Sequence, residues 1–133
     1  MSAIARMNPD RLFDPSGSHY SHVSTVTSGP LAFVSGQVAW ADGKPAPSGL
    51  REQAHIVVGH LGTCLEALSA TPSDIVMLRI YVVDLTPERT VEVMEPLGAF
   101  LGDSFPSLTG IGVAALAGPE LQLEVEMVVR VPA

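Results

Sequence analysis

The nine residues IVMLRIYVV, Ile75–Val83, include one charged side chain and are otherwise apolar or aromatic. A run of this kind is typical of a central strand that is covered on both faces of its sheet. Just downstream, Thr86-Pro87-Glu88 supplies a capping residue, a proline at the first helical position and an acidic first turn. We expect a helix from there to about Leu101, kinked or ended early by Pro96.

Another helix is predicted before this strand. Residues Leu50–Ser69 place apolar side chains at every third or fourth position, and Ser48 is a candidate cap. The apolar stripe consists of Ala54, Val57, Leu61, Cys64, Leu65 and Leu68. Gly59 and Gly62 each cost a helix up to about 1 kcal/mol, which indicates close packing against a sheet.

Four further segments have the alternation or β-branched content of strands. They are His22–Thr27, Leu31–Val34 continuing through Gln37–Trp40, Ser107–Ala115 and Leu121–Val131. Before them, residues 8–18 are predicted to form an irregular segment. The turn Ser28-Gly29-Pro30 predicts a hairpin between the first two, and Ser35-Gly36 predicts a bulge or a close backbone approach.

The predicted order is therefore β-β-α-β-α-β-β within one domain, residues 1–133. This is an α+β fold, and its simplest packing is a single sheet with two helices on one face. The other face would then be apolar and open, and closing three such sheets into a barrel would cover it.

Composition limits the possible partners. The 133 residues include 14 Asp+Glu and 7 Lys+Arg, a net charge of −7, and only 16% are charged, compared with about 25% in typical domains. We therefore expect apolar surface to be buried against other subunits. The acidic balance argues against nucleic acid. No apolar run reaches the roughly 18 residues of a membrane span, and no signal peptide is recognised, so a cytoplasmic protein is expected.

Metal and thiol chemistry are not indicated. A lone cysteine, Cys64, excludes an intrachain disulfide and is expected to be a buried structural thiol. His55 and His60 are about 140° apart around a helix, and His19 and His22 fall on opposite faces of a strand. We therefore expect no metal site.

The order of six short motifs resembles the RidA/YjgF-type (Rid) family, which includes enamine/imine deaminases. The motifs are His19-Tyr20-Ser21, FVSGQV at 33–38, Glu52-Gln53, YVVD at 81–84, Phe105-Pro106 and LEVE at 123–126. The resemblance covers nearly the whole chain. It implies a chorismate-mutase-like fold and a homotrimer with a central barrel and three clefts between subunits. It also implies hydrolysis of 2-enamine or 2-imine acids to 2-keto acids and ammonia, without a metal or organic cofactor.

One position departs from the deaminating members, in which an arginine after Phe-Pro binds the substrate carboxylate. Here Leu108 occupies that place, followed by Thr109 and Gly110. A guanidinium forms a charge-assisted, bidentate pair with a carboxylate, whereas leucine offers neither charge nor donors. Met94 and Leu97 stand where active members often carry Asn and Tyr, so the resemblance implies a more apolar cleft.

Other positions match the family. Tyr20, Ser35, Gly36 and Glu124 align with cleft residues, and the glutamate near Glu124 helps to hold and activate water. Glu124 and Glu126 point to one sheet face. One of them would be a general acid/base whose pKa is raised by a dry cleft; the resemblance favours Glu124, with Glu126 as the alternative.

Residue patterns alone leave other interpretations open. The glutamates could form a solvated edge or pair with Arg79 or Arg130. Tyr20 could be a half-buried tyrosine with its hydroxyl in water rather than a cleft residue that donates a hydrogen bond.

Two functions are therefore expected. The first is an enzyme that hydrolyses or processes a small imine, enamine or related carbonyl compound in an intersubunit cleft, with a neutral or larger substrate instead of the usual 2-imino acids. The alternative is a non-catalytic trimer that binds a small ligand or a protein. An enzyme should hold Glu124 beside a ligand-sized space, whereas a binder could fill that space with Leu108, Met94 and Leu97. Ribonuclease activity, claimed for some family members, is disfavoured by the net charge of −7.

Overall fold

Two helices and a mixed sheet form the main body of the protein, seen in a computed structural model that describes residues 3–133. In chain order the elements are β1 Ile4–Met7, β2 Val23–Val26, β3 Leu31–Gln37, α1 Leu50–Ala67, β4 Ile75–Val83, α2 Pro87–Leu101, β5 Ser107–Val113 and β6 Leu123–Arg130. The α+β class is confirmed, and the order contains one N-terminal strand more than predicted.

The main sheet has the strand order β3-β6-β4-β5. β6 is antiparallel to both of its neighbours, so β3 and β4 run in the same direction and α1 crosses between them. β4 and β5 are parallel and α2 connects them, as a parallel pair requires. β1 and β2 form a separate antiparallel pair, so the prediction of a single sheet is wrong for the isolated chain.

The hairpin predicted around Ser28-Gly29-Pro30 is also wrong, because β2 pairs with β1 and β3 pairs with β6. Contacts between distant parts of the chain hold the small sheet in place. The guanidinium of Arg6 donates to the carbonyls of Ser73 and Ile75, at 3.2 and 2.9 Å. The Ser24 hydroxyl lies 2.9 Å from that of Ser107 at the start of β5.

β4 has the predicted bounds, but helices cover only one of its faces. Leu78, Ile80 and Val82 are buried on the helix side, whereas Arg79 is exposed and Tyr81 half-buried on the other. β6 alternates in the same way, and its buried residues are Leu123, Val125, Met127 and Val129. The face opposite the helices, here called the helix-free face, is thus open as predicted, but it carries Arg79 and Glu126 and is not wholly apolar.

The beginning of α2 follows the sequence closely. The Thr86 hydroxyl accepts a hydrogen bond from the Arg89 N–H at 3.1 Å, and Pro87 is the first helical residue. Pro96 does not end the helix, which continues to Leu101. The proline lies beyond the first turn and removes one backbone donor without preventing continuation of the helix.

α1 differs in its cap and in the role of its glycines. Gly49 precedes the helix and no side chain caps it, so Ser48 is not the cap. A Cβ at Gly59 would meet nothing within 4 Å, and at Gly62 only Phe100 at 3.8 Å. Neither glycine is therefore required by close packing against the sheet, and Cys64 is half-buried instead of fully buried.

A buried amide joins α1 to the loop before it and to the segment that precedes β6. Gln53 is fully buried, and its Nε2 donates to the carbonyls of Pro47 and Glu120, both at 2.8 Å. Its Oε1 accepts from the Gln122 N–H at 2.9 Å. One side chain thus satisfies three backbone groups that helices and strands leave unpaired.

Replacing this amide by an apolar side chain should destabilise the protein strongly. Gln53→Leu removes all three hydrogen bonds, and we expect a loss of about 3 kcal/mol because buried unpaired backbone groups cost about 1–3 kcal/mol each. Urea unfolding at one fixed chain concentration measures it. His55→Ala, on the exposed side of the same helix, should change stability by less than about 0.5 kcal/mol. Equal stability of the two variants would contradict the role given to Gln53.

Candidate functional site

A cavity of about 890 Å³ lies on the helix side of the sheet, between α2, the strands β4 and β5, and the loop at 17–20. We call it the helix-side chamber. Its lining includes Tyr20, Ile80, Val82, Met94, Leu108 and Gly110. Leu108 and Gly110 face it because they stand in register with the inward-facing Leu78 and Ile80 of β4. The volume lies within the roughly 300–1,000 Å³ of small-molecule sites.

The chamber contains four of the predicted binding residues, namely Tyr20, Met94, Leu108 and Gly110. Two others lie elsewhere. Leu97 is 1% exposed and belongs to the core between helices and sheet. Thr109 is exposed and stands in register with Arg79, so it lies on the helix-free face.

A second group of predicted residues meets at the other end of the sheet, where β3 pairs with β6. The register shifts between Val34 and Gln37, which confirms the bulge at Ser35-Gly36. A Cβ at Gly36 would come within 2.2 Å of the Glu124 Oε2 atom. Only glycine therefore allows the carboxylate to lie against this backbone.

Glu126 lies on the same face as Glu124 but has protein partners. The Tyr81 hydroxyl donates to its Oε1 at 2.5 Å, and Arg79 forms an ion pair with the same oxygen at 3.2 Å. The hydrogen bond from Tyr81, reinforced by Arg79, lowers the pKa of Glu126, and the same bond raises the pKa of the Tyr81 hydroxyl.

The expectation of a raised pKa is thus wrong for Glu126, and the pairing with Arg79 is confirmed. Arg130 instead donates to the Ser28 carbonyl at 3.0 Å. Within residues 3–133, the Glu124 carboxylate forms no hydrogen bond or ion pair. Of the two glutamates, only Glu126 is held by protein side chains.

In one chain the two groups of candidate residues lie on opposite faces of the main sheet. Leu108 and Gly110 face the helices, whereas Glu124 lies on the helix-free face. Successive side chains along a strand point to opposite faces of the sheet. A single chain therefore does not bring Glu124 to the chamber.

The sequence did not identify His19 and Gly98 as a contact within the chamber. His19 adopts φ 63°, and its ring lies on Gly98 of α2, with Cε1 and Nε2 each 2.8 Å from where a Cβ would be. The ring also meets Phe105 edge to face, with centroids 6.3 Å apart. A glycine inside a helix signals close approach, but the sequence does not say of what.

No group of three or more His, Cys, Asp or Glu side chains within residues 3–133 is arranged to hold a metal ion. Neither of the helices described is both long and apolar enough to cross a membrane.

The same α+β arrangement recurs in solved structures of Rid proteins. The Rid family protein YyfB from Yersinia pestis superimposes with a TM-score of 0.89 at 32% identity, covering 97% of this chain and 99% of that one. A YjgF/YER057c/UK114 family member from Mycobacterium tuberculosis gives a TM-score of 0.67 at 26% identity, covering 96% and 99%.

Sequence comparison assigns the family directly. The family model described as Endoribonuclease L-PSP matches residues 14–131. The RutC family protein YjgH of Escherichia coli K12 is 30% identical over 126 residues, 89% of this chain and 92% of that protein. The chain therefore belongs to the RidA/YjgF-type family, as its motifs predicted.

The hydrogen bond between Tyr81 and Glu126 yields a test by titration. Tyr81→Phe removes the main cause of the lowered pKa, so the pKa of Glu126 should rise toward the ordinary value of about 4.3. Carbon-13 NMR of the glutamate carboxyls measures it, and Tyr20→Phe is the control.

The same change should alter how stability depends on pH. A lowered pKa stabilises the folded chain above the unfolded value of about 4.3, and this contribution is lost as pH falls through the folded pKa. As pH falls through this range, the free energy of unfolding should therefore decrease less steeply in Tyr81→Phe than in the natural chain. An unchanged Glu126 titration would show that the hydrogen bond is not formed in solution.

Proposed function

We propose that this protein hydrolyses or otherwise processes a small imine, enamine or related carbonyl compound in a cleft between two chains. Membership of the Rid family supports a role in small-molecule processing in general. One observation carries the proposal: an open, ligand-sized chamber lies beside Leu108, while the Glu124 carboxylate, which has no hydrogen-bond or ion-pair partner within residues 3–133, lies over Gly36 on the opposite face.

A homotrimer would join these two halves. The helix-free face carries Phe33 at 77% exposure and Leu31 at 44%, which is apolar surface that a partner would bury. Packing of this face against a neighbouring chain would place Ser35, Gly36 and Glu124 of one subunit at the chamber of the next. The low charge content of 16% supports an assembly in which such surface is covered.

The reaction needs few groups. Water held by the Glu124 carboxylate adds its oxygen to the imine carbon, and its proton passes through the carboxyl group to the substrate nitrogen. The C–N bond of the resulting carbinolamine then breaks. The hydroxyl proton of the carbinolamine is transferred to the departing nitrogen, which leaves as ammonia or a primary amine. The carbon and oxygen that remain form the carbonyl group of the product. Tyr20, in the chamber lining, would donate a hydrogen bond that orients the substrate.

A non-catalytic ligand-binding trimer is the second candidate. Leu108 favours it, because this residue removes the group that would orient an acidic substrate. The open chamber favours the enzyme, because Leu108 and Met94 line the space without filling it. We do not propose ribonuclease activity, since an excess of 14 Asp+Glu over 7 Lys+Arg disfavours binding of a polyanion such as RNA.

The substitution Leu108→Arg separates altered specificity from lost chemistry. We expect the natural chain to release little ammonia from 2-iminobutanoate, and Leu108→Arg to release at least about tenfold more, since a hydrogen bond to a charged group contributes about 1.5–3 kcal/mol. A coupled ammonia assay with Leu108→Met as the uncharged control measures it. A folded Leu108→Arg trimer without any gain would favour the non-catalytic candidate.

Subunit mixing tests whether the site is shared between chains. In the Leu108→Arg background, Glu124→Gln and Met94→Trp, whose larger ring obstructs the chamber beside position 108, should each be inactive. Refolding the two variants together at equal amounts should restore about one quarter of the activity, because about one quarter of the clefts in random trimers would combine two intact halves.

Two results would contradict the shared cleft. One is a mixture that stays inactive although sedimentation velocity shows assembled chains. The other is a natural chain that sediments as a monomer at working concentrations.

A further inference from the structure

We propose that the helix-side chamber takes an uncharged substrate with an extended apolar arm, and that His19, lying on Gly98, forms the wall limiting that arm. The inference rests on the proposed function, because it specifies the substrate of the same cleft. The chamber of about 890 Å³ is near the upper end of the range for drug-sized ligands. A 2-imino acid of four carbons would occupy little of it.

The charges around the chamber exclude an anionic arm. No lysine or arginine of residues 3–133 lines it, and its lining acid, Glu95, is ion-paired with Arg51 of α1. The hydroxyl of Thr90 is engaged as a donor to the Thr86 carbonyl at 2.9 Å. A carboxylate placed here would lose its water without gaining a cation, which is costly.

The chamber also opens to the surface through apolar side chains. Leu85 and Val91 both line it and are 37% and 52% exposed. An alkyl chain could lie against these residues continuously from the opening to Leu108.

The inner wall depends on a contact between His19 and Gly98. The imidazole occupies the space that a side chain at position 98 would need, with Cε1 and Nε2 at 2.8 Å from the Cβ position. Its Nδ1 is buried and has no hydrogen-bond partner among residues 3–133, so packing and not hydrogen bonding at this atom holds the ring. A methyl group at position 98 would displace the ring toward the chamber and shorten the space available.

Competition between matched ligands tests the charge preference. The variant Glu124→Gln is used because it separates binding from turnover. It is loaded with the neutral fluorophore N-phenyl-1-naphthylamine, which is then displaced by adding either octan-2-one or octanoate. We expect octan-2-one to displace half of the fluorophore at a concentration at least about tenfold lower than the concentration of octanoate that does so. Leu108→Arg should reverse this order. Equal displacement by both ligands, or no binding of the fluorophore, would overturn the proposal.

Two helical glycines test the wall. Gly98→Ala should weaken fluorophore binding by about fivefold through crowding, whereas Gly59→Ala, which meets open space, should leave it unchanged. Adding His19→Ala to Gly98→Ala should restore binding, because the displaced ring is gone. Unchanged affinity in folded Gly98→Ala, or failure of this rescue, would contradict the role of His19.

A single substitution covers the case in which Gly98→Ala does not fold. Because the wall is removed, His19→Ala alone should let dodecan-2-one displace the fluorophore more effectively relative to octan-2-one. An unchanged ratio of the two half-displacement concentrations would contradict the role of His19. If ligand binding behaves as expected but no imine is hydrolysed by any variant, the proposed catalysis fails and the chamber's specificity stands.

Discussion

β6 is hydrogen-bonded to a strand on each side, and the rest of the structure depends on that double pairing. Because side chains alternate along it, Leu123, Val125 and Met127 enter the core while Glu124 and Glu126 lie on the other face. A slip of one residue against β3 and β4 would bury the carboxylates beneath the helices. Since burying unpaired charges is costly, the register is strongly specified.

The same alternation divides the candidate chemistry between two surfaces. Residues that shape a ligand space, such as Leu108 and Met94, belong to the helix side. The carboxylate that would handle water lies over Gly36 on the helix-free face. An assembly that apposes the two surfaces builds a site neither possesses alone, so catalysis and oligomerisation would be inseparable properties of this chain.

Local signals predicted much of the fold. Ile75–Val83 and the start of α2 at Pro87 lie where the apolar run and the Thr-Pro-Glu motif placed them, and the bulge follows from Ser35-Gly36. Long-range contacts account for the errors. β1 is short and contains Arg6, whose guanidinium is held by carbonyls near β4, about seventy residues away.

Sequence motifs named the candidate residues, but they did not give the placement of those residues within one chain. The motifs pointed to Tyr20, Leu108 and Glu124, but no local pattern states that the last lies on the other face from Leu108. The lowered pKa of Glu126 depends on Tyr81 and Arg79 from another strand. The contact of His19 with Gly98 likewise joins segments that only tertiary packing brings together.

Within residues 3–133, β3 pairs only with β6, so one of its backbone edges carries unused donors and acceptors beside the exposed ring of Phe33. Such an edge is a template for unwanted strand addition. An uncovered edge of this kind therefore puts a newly synthesised chain at risk of aggregation. In the proposed trimer, the yield of native protein would depend on how quickly subunits find one another compared with how quickly stray strands add to that edge.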